Sequence, residues 1–202
     1  IRNSKNTQLI SLLMSGQNGT GKSAFAAWAA LQCNFPFVKL ISPENFVGYT
    51  EIGKVNAIVK VFEDAYRSPL SLIVLDDIER LIEYVNIGPR FSNHILQALL
   101  VLIKKVPKKP DHKLIVIGTT SQTSVLKDLE IVQAFNVAIE LPELKTQEIS
   151  KVLSHFPGEQ DAKDKIASLI PSIAIKRLLL LIDMAITGES EINLEKFVSA
   201  YE

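Results

Sequence analysis

The chain has 202 residues, with 22 Lys+Arg against 22 Asp+Glu and zero formal net charge. This is enough for one full α/β core or for a core plus a small lid, and the neutral balance argues against a globally basic nucleic-acid binder. The single cysteine, Cys33, excludes a disulfide framework and fits a reducing compartment; no run of about eighteen apolar residues predicts a membrane-spanning helix, and no signal peptide is visible.

Leu9–Met14 (LISLLM) is short and nearly all apolar, and reads as a buried strand. Gly16–Ser23, GQNGTGKS, follows at once with the spacing G-x-x-x-x-G-K-[ST], the phosphate-binding P-loop. Gly16, Gly19 and Gly21 let the backbone curl through Gln17, Asn18 and Thr20 so that several N–H groups point at a β-phosphate. Lys22 supplies a point charge for the β- and γ-phosphates, and Ser23 offers a hydroxyl to Mg²⁺. The Ala-rich stretch Ser23–Cys33 reads as a helix, with its N-terminus toward the phosphates. Cys33, inside that helix, reads as a packing residue.

Phe37–Ile41 predicts a second strand, and Lys54–Tyr66 a helix with Val55, Ile58, Val59 and Phe62 at helical spacing. Leu70–Asp77 (LSLIVLDD) is a buried strand ending in two carboxylates. Phe91–Lys105 is a long apolar helix with a basic end. Leu114–Ile117 and Val137–Leu141 are further strands. Strands alternating with helices imply an α/β fold with a parallel five-stranded sheet flanked by helices. After Pro142 the pattern changes. Thr146–Phe156, Asp161–Leu169, Ser172–Thr187 and Asn193–Tyr201 all read as helices, with no strand between them. Ser172 and Asn193 are expected N-caps and Gly188 a C-cap. The expected division is a core over residues 1–142 and a small helical lid over 143–202.

A strand ending in acid, after a P-loop, is the Walker B arrangement, in which Asp76 holds Mg²⁺ through water. P-loop strand, Walker B acid, a polar strand end at Thr120-Ser121 and a helical lid together resemble an AAA+ ATPase. The stretches NFPFVKLISPENFVGYTE, FEDAYRSPLSLIVLDDIERLIEYVNIGPRFSNHILQALLVLIKK and LIVIGTTSQTSVL are similar to the second ATPase domain of the N-ethylmaleimide-sensitive fusion protein (NSF) family. The resemblance runs from Leu9 to about Tyr201 and is weakest between His155 and Pro171. It implies ATP and Mg²⁺ as ligands and assembly into a hexameric ring. It also implies a cytoplasmic protein, peripheral to membranes through its partners, that acts on SNARE complexes through an adaptor in vesicle fusion. In that family the second domain is the ATP-dependent hexamerisation domain. No nucleic-acid partner and no direct membrane insertion are expected. AAA+ modules usually carry a few dozen residues before the first strand, closing over the adenine. Only Ile1–Gln8 stand there. The chain starts on Ile1 rather than Met, and is expected to be a piece of a longer protein with an incomplete adenine pocket.

Three features bear on whether the nucleotide is fuel or glue. Efficient AAA+ hydrolases place a glutamate after the Walker B aspartate as general base. Here it is Asp77, whose carboxylate sits about 1–1.5 Å back, a misplacement that can cost about 10²-fold in rate. The sensor asparagine position is Ser121, which has a shorter reach. The segment Gln122–Leu141, where a neighbouring subunit's arginine finger would lie, contains no arginine; such fingers are worth roughly 10³–10⁵ in rate. Asp77, Ser121 and Arg177 are the expected catalytic residues. The resemblance puts the lid's γ-phosphate-sensing cation at Arg177, with Lys176 as runner-up. Lys104 or Lys105 could replace the absent finger in trans. Phe46-Val47-Gly48 matches the aromatic–aliphatic–glycine of a substrate-threading pore loop, or is an ordinary hydrophobic anchor. Lys104–Lys109 reads as a solvated loop rather than a nucleic-acid surface. The leading expectation is a nucleotide-gated assembly domain with slow turnover. The alternative is an active threading motor. A small-molecule P-loop kinase lacks an arginine-rich lid.

Overall fold

Five runs rich in branched aliphatic residues form one sheet in the computed structural model, which describes residues 7–87, 90–187 and 191–201. They are β1 (Leu9–Ser15), β2 (Phe37–Ile41), β3 (Leu70–Leu75), β4 (Lys113–Thr120) and β5 (Val137–Glu140). The order is β2-β3-β4-β1-β5 and every neighbouring pair is parallel. Helices α1 (Lys22–Gln32), α2 (Glu51–Arg67), α3 (Ile78–Leu81), α4 (Asn93–Lys104) and α5 (Thr123–Asp128) fall between the strands. The three central strands are mostly buried and the edge strands β2 and β5 mostly exposed. Continuous apolar runs suit strands covered on both faces.

The core joins Leu13, Ile73 and Val116 of the sheet to Ile58 and Phe62 of α2 and Ile95 and Leu99 of α4. Local chemistry sets the helix starts. Thr50 caps α2 by accepting from the Gly53 amide, and Ser92 caps α4 by accepting from the Ile95 amide. The Ser92 hydroxyl also donates to the Glu51 carboxylate in the first turn of α2. These caps place α2 three residues earlier than its apolar spacing suggests, and α4 two residues later.

Phe46 closes a 3₁₀ turn (Pro43–Phe46) and is 8% exposed, edge-on to Tyr49 with ring centroids 5.8 Å apart. Of the two readings of this residue, the anchor fits: Phe46 belongs to the core, and Val47 beside it is exposed. A pore loop led by Phe46 does not fit this burial.

By packing, the chain divides into two units. One comprises the described residues up to Gly16 with Lys22–Glu140; the other comprises Gln17–Gly21 with the residues from Leu141 onward. The second unit holds α6 (Thr146–Leu153), α7 (Gln160–Leu169), α8 (Ile175–Ala185) and α9 (Leu194–Tyr201). Their apolar faces meet at Ile149, Leu153, Ile166, Leu178, Ile182 and Phe197. The expectation of helices alone is corrected by two short antiparallel pairings. β6 (Leu144–Lys145) pairs with β7 (Ser172–Ile173), and β8 (Ile186–Thr187) with β9 (Glu191–Ile192). Ser172 is therefore strand, not cap: it pairs with Lys145, its hydroxyl donates to Glu143 at 2.9 Å, and α8 starts after Ala174. Two-residue strands are too short to leave a period in the sequence. Asn193 does cap α9, accepting from the Lys196 amide at 3.1 Å. Gly188, and the segment before Thr7, lie outside the described residues.

Candidate nucleotide-binding site

The chain leaves β1 toward the β2 edge of the sheet and leaves β4 toward the β5 edge, although β1 and β4 are neighbours. The two strands stay paired to their last residues, Ser15 with Thr120, but right-handed crossovers running in opposite directions leave on opposite faces of the sheet. The crevice at such a switch point is where open α/β sheets bind ligands. Gly16–Gly21 follows β1 and Ser121 follows β4.

Within the loop, Gly19 and Gly21 have φ of 84° and 95°, a region that costs any residue with a Cβ. Thr20 closes the turn, its hydroxyl donating to the Gln17 carbonyl at 2.9 Å. Lys22 opens α1 and is 5% exposed; its ammonium donates to the Gly16 carbonyl at 2.9 Å. Burial pushes Lys22 below the ordinary lysine range, while Glu79, Asp77 and Asp76 pull it back up.

The Ser23 hydroxyl donates to Asp76 Oδ1 at 2.8 Å, so the two expected metal-site residues meet. Thr119 fixes the acid: its hydroxyl donates to the same Oδ1 at 2.6 Å and accepts from the Asp77 amide at 2.9 Å. Ser23 and Asp76 form a hard-oxygen pair, the donor type Mg²⁺ takes alongside waters and phosphate oxygens. Among the described residues no group of three or more His, Cys, Asp or Glu could hold a metal by itself. Mg²⁺ brought in with a nucleotide fits this pair.

Asp77 adopts a left-handed conformation, φ 50° and ψ 61°, as β3 turns into α3. Short polar side chains tolerate that region best. Burial first, then the charges of Asp76 and Glu79, push its carboxyl above the ordinary aspartate value. Two residues on, Glu79 is 6% exposed. It accepts from the Thr120 hydroxyl at 2.8 Å, the Ser121 amide at 2.8 Å and the Ser121 hydroxyl at 2.5 Å. The expected sensor hydroxyl is thus committed to a carboxylate.

Not every expected residue gathers here. Lys104 lines a cavity of about 420 Å³ with Thr7, Gln8 and Leu9, at the start of β1. Seven residues of strand, roughly 20 Å, separate that end from Gly16. Lys104 therefore does not reach the phosphate loop of its own chain. Lys105 lies over the Tyr66 ring, 5.1 Å from the centroid. In the second unit, the Arg177 guanidinium lies over the Tyr201 ring at 5.6 Å. The Lys176 amide donates to the Gly19 carbonyl at 3.0 Å, and a Cβ on Gly19 would meet the Lys176 Cβ at 3.3 Å. Of the two cations, Lys176 borders Gly19 and Arg177 packs on an aromatic ring.

Sequence reasoning missed Thr119 and Glu79. The signal was present as strand register. Leu75 pairs with Gly118, so the acids after Leu75 run beside the hydroxyls after Gly118.

A family model described as "ATPase family associated with various cellular activities (AAA)" matches residues 12–143. The vesicle-fusing ATPase of Dictyostelium discoideum is 45% identical over 187 residues, covering 92% of this chain and 25% of that protein. The vesicle-fusing ATPase of Arabidopsis thaliana is 43% identical over 191 residues, covering 94% and 26%. The vesicular-fusion protein SEC18 of Saccharomyces cerevisiae is 38% identical over 201 residues, covering 96% and 26%. The chain spans about a quarter of the length of these curated relatives. With its P-loop after β1, its acid pair after β3 and its parallel sheet, the chain belongs to the AAA family of ATPases.

Proposed function

We propose that this chain is the second ATPase domain of an NSF-type vesicle-fusing ATPase and that it works as a nucleotide-gated assembly domain. ATP binds at Gly16–Ser23, with Lys22 answering the β- and γ-phosphates and with Mg²⁺ held by Ser23 and, through water, Asp76. When bound, the metal neutralises charge shared by the two terminal phosphates. Copies of the chain assemble into a hexameric ring around bound ATP, and Lys104 reaches the nucleotide of a neighbour. Lys176, which borders the loop, is the better candidate for the lid cation that senses the γ-phosphate; Arg177 stays on Tyr201. The full-length protein then acts in the cytoplasm on SNARE complexes through an adaptor held by other domains.

The observation that carries this reading is the contrast between binding and hydrolytic groups. The groups that would hold the phosphates and the metal, Lys22, Ser23 and Asp76, are all present, with Ser23 against Asp76. The hydrolytic side has Asp77 in place of glutamate, a Ser121 hydroxyl tied to Glu79, and no arginine between Gln122 and Leu141. Hydrolysis is therefore slow, and ATP serves as glue. Burial of Phe46 weakens the threading-motor alternative. Sedimentation with ATP, with ADP and without nucleotide, beside a turnover assay, tests the proposal. Assembly should follow ATP while turnover stays low; a ring that forms equally without nucleotide would refute it.

A further inference from the structure

Glu79 belongs to no part of the phosphate-binding motif, yet it is the most deeply buried acid near the ends of β3 and β4. A buried carboxylate is tolerated only when donors compensate its lost hydration. Glu79 has three: Oε2 takes the Thr120 hydroxyl, and Oε1 takes both the amide and the hydroxyl of Ser121. The Thr120 hydroxyl in turn accepts from the Gln122 amide at 3.0 Å. The first turn of α3 is thereby stapled to the end of β4.

The staple has a chemical consequence. A serine hydroxyl has one hydrogen and two lone pairs. The Ser121 amide is an obligate donor to Oε1, which marks that oxygen as an acceptor, so the hydroxyl contact on the same oxygen is also donated by serine. At 2.5 Å it lies in the short range of hydroxyl–carboxylate bonds. The one hydrogen with which Ser121 could mark a γ-phosphate is spent.

We propose that Glu79 is a positioning residue that latches Ser121, leaving its hydroxyl only lone pairs to offer and making this strand end blind to the difference between ATP and ADP. The proposal rests on the reading that the phosphates lie at Gly16–Ser23. A γ-phosphate oxygen is itself an acceptor and gains nothing from a serine lone pair. Glu79 thus holds the sensor position in an orientation that serves structure rather than nucleotide discrimination.

The test measures ATP and ADP affinity by calorimetry, with a non-hydrolysable ATP analogue as the triphosphate. Glu79→Gln keeps the shape and an oxygen for Ser121 but removes the charge, and charge-assisted bonds are about twice as strong as neutral ones. The loosened hydroxyl should then raise the ATP-over-ADP affinity ratio about fivefold, and the rise should vanish in Glu79→Gln/Ser121→Ala. In the wild-type background Ser121→Ala should move that ratio less than about twofold. A fivefold or larger fall in the ratio on Ser121→Ala alone would show that the hydroxyl already reads the γ-phosphate, and would overturn the latch even if Glu79→Gln failed to fold. An unchanged ratio in a folded Glu79→Gln would do the same, as would a rise that survived in the double variant. Lys22→Ala separates the underlying reading: undiminished binding of both nucleotides there would move the phosphates elsewhere and remove the proposal with them.

Discussion

Ser23 and Ser121, which follow β1 and β4, each donate to a carboxylate that follows β3, and the two contacts differ in kind. Ser23 meets Asp76 in an exposed pair at the start of α1, where water or a metal ion can take either oxygen. Ser121 meets Glu79 in a pair whose acid is 6% exposed and already holds two more donors. In the proposed function the first contact is a placeholder that a nucleotide and its metal replace. The second is structural, because breaking it would leave a buried charge short of partners. On the proposed reading, the same bond type in two settings of different burial leaves the binding half of the site ready and the hydrolytic half restrained.

The largest expected effect comes from removing the binding half. Lys22→Ala deletes a charge-assisted donor to the terminal phosphates, which should cost roughly 10²-fold or more in ATP affinity and abolish ATP-dependent assembly. Calorimetry and sedimentation read both, and wild-type affinity in the variant would show that the loop is not the phosphate site.

Gly118→Ala strikes beneath the hydrolytic half. A Cβ there would lie 2.6 Å from Phe135 Cζ and 2.8 Å from Ile78 Cδ1, far inside contact distance. Ile78 stands between Asp77 and Glu79. Overpacking of this kind costs about 1–3 kcal/mol, measurable by denaturant unfolding. Hydrolysis should fall further than ATP affinity, and equal losses would mean that the two halves are not mechanically separate.

The lid pair sharpens the contrast next. Lys176→Ala should weaken ATP binding about tenfold and ADP binding much less, as expected of one lost charge-assisted contact to a γ-phosphate. Arg177→Ala should lower stability by about 0.5–1 kcal/mol through loss of the Tyr201 stacking, with little nucleotide selectivity. The reverse pattern would return the sensor role to Arg177.

The smallest effect is Asp77→Glu, a gain of only a few-fold in single-turnover hydrolysis. The extra methylene restores reach. The left-handed backbone at Asp77 charges a longer side chain about 1–2 kcal/mol, and Ser121 and the absent arginine are unaltered. A gain of a hundredfold would mean that reach alone limited the chemistry.

Much of this arrangement was legible in the sequence because its carriers are local. The P-loop, the acids after β3 and the five apolar strand runs each announce themselves within about eight residues. What escaped is set by pairing across the chain. Thr119 and Glu79 acquire meaning only when Leu75 is registered against Gly118, 43 residues on. Ser172 looks like a helix cap until its pairing with Lys145 is seen. Phe46 beside Val47-Gly48 looks like a pore aromatic until burial is known. Lys176 and Arg177 are adjacent, and only packing against Gly19 and Tyr201 tells them apart.

The central claim, that ATP here holds subunits together more than it drives them, is tested most directly by Asp77→Asn. Asparagine tolerates the same left-handed backbone and leaves Asp76 and Ser23 for the metal, but it cannot act as a base. Oligomer size by sedimentation velocity in saturating ATP should match the wild type, and single-turnover hydrolysis, slow in the wild type on the proposed reading, should fall further. Fast hydrolysis in the wild type, abolished in Asp77→Asn together with loss of the ring, would contradict the account and make the domain a motor.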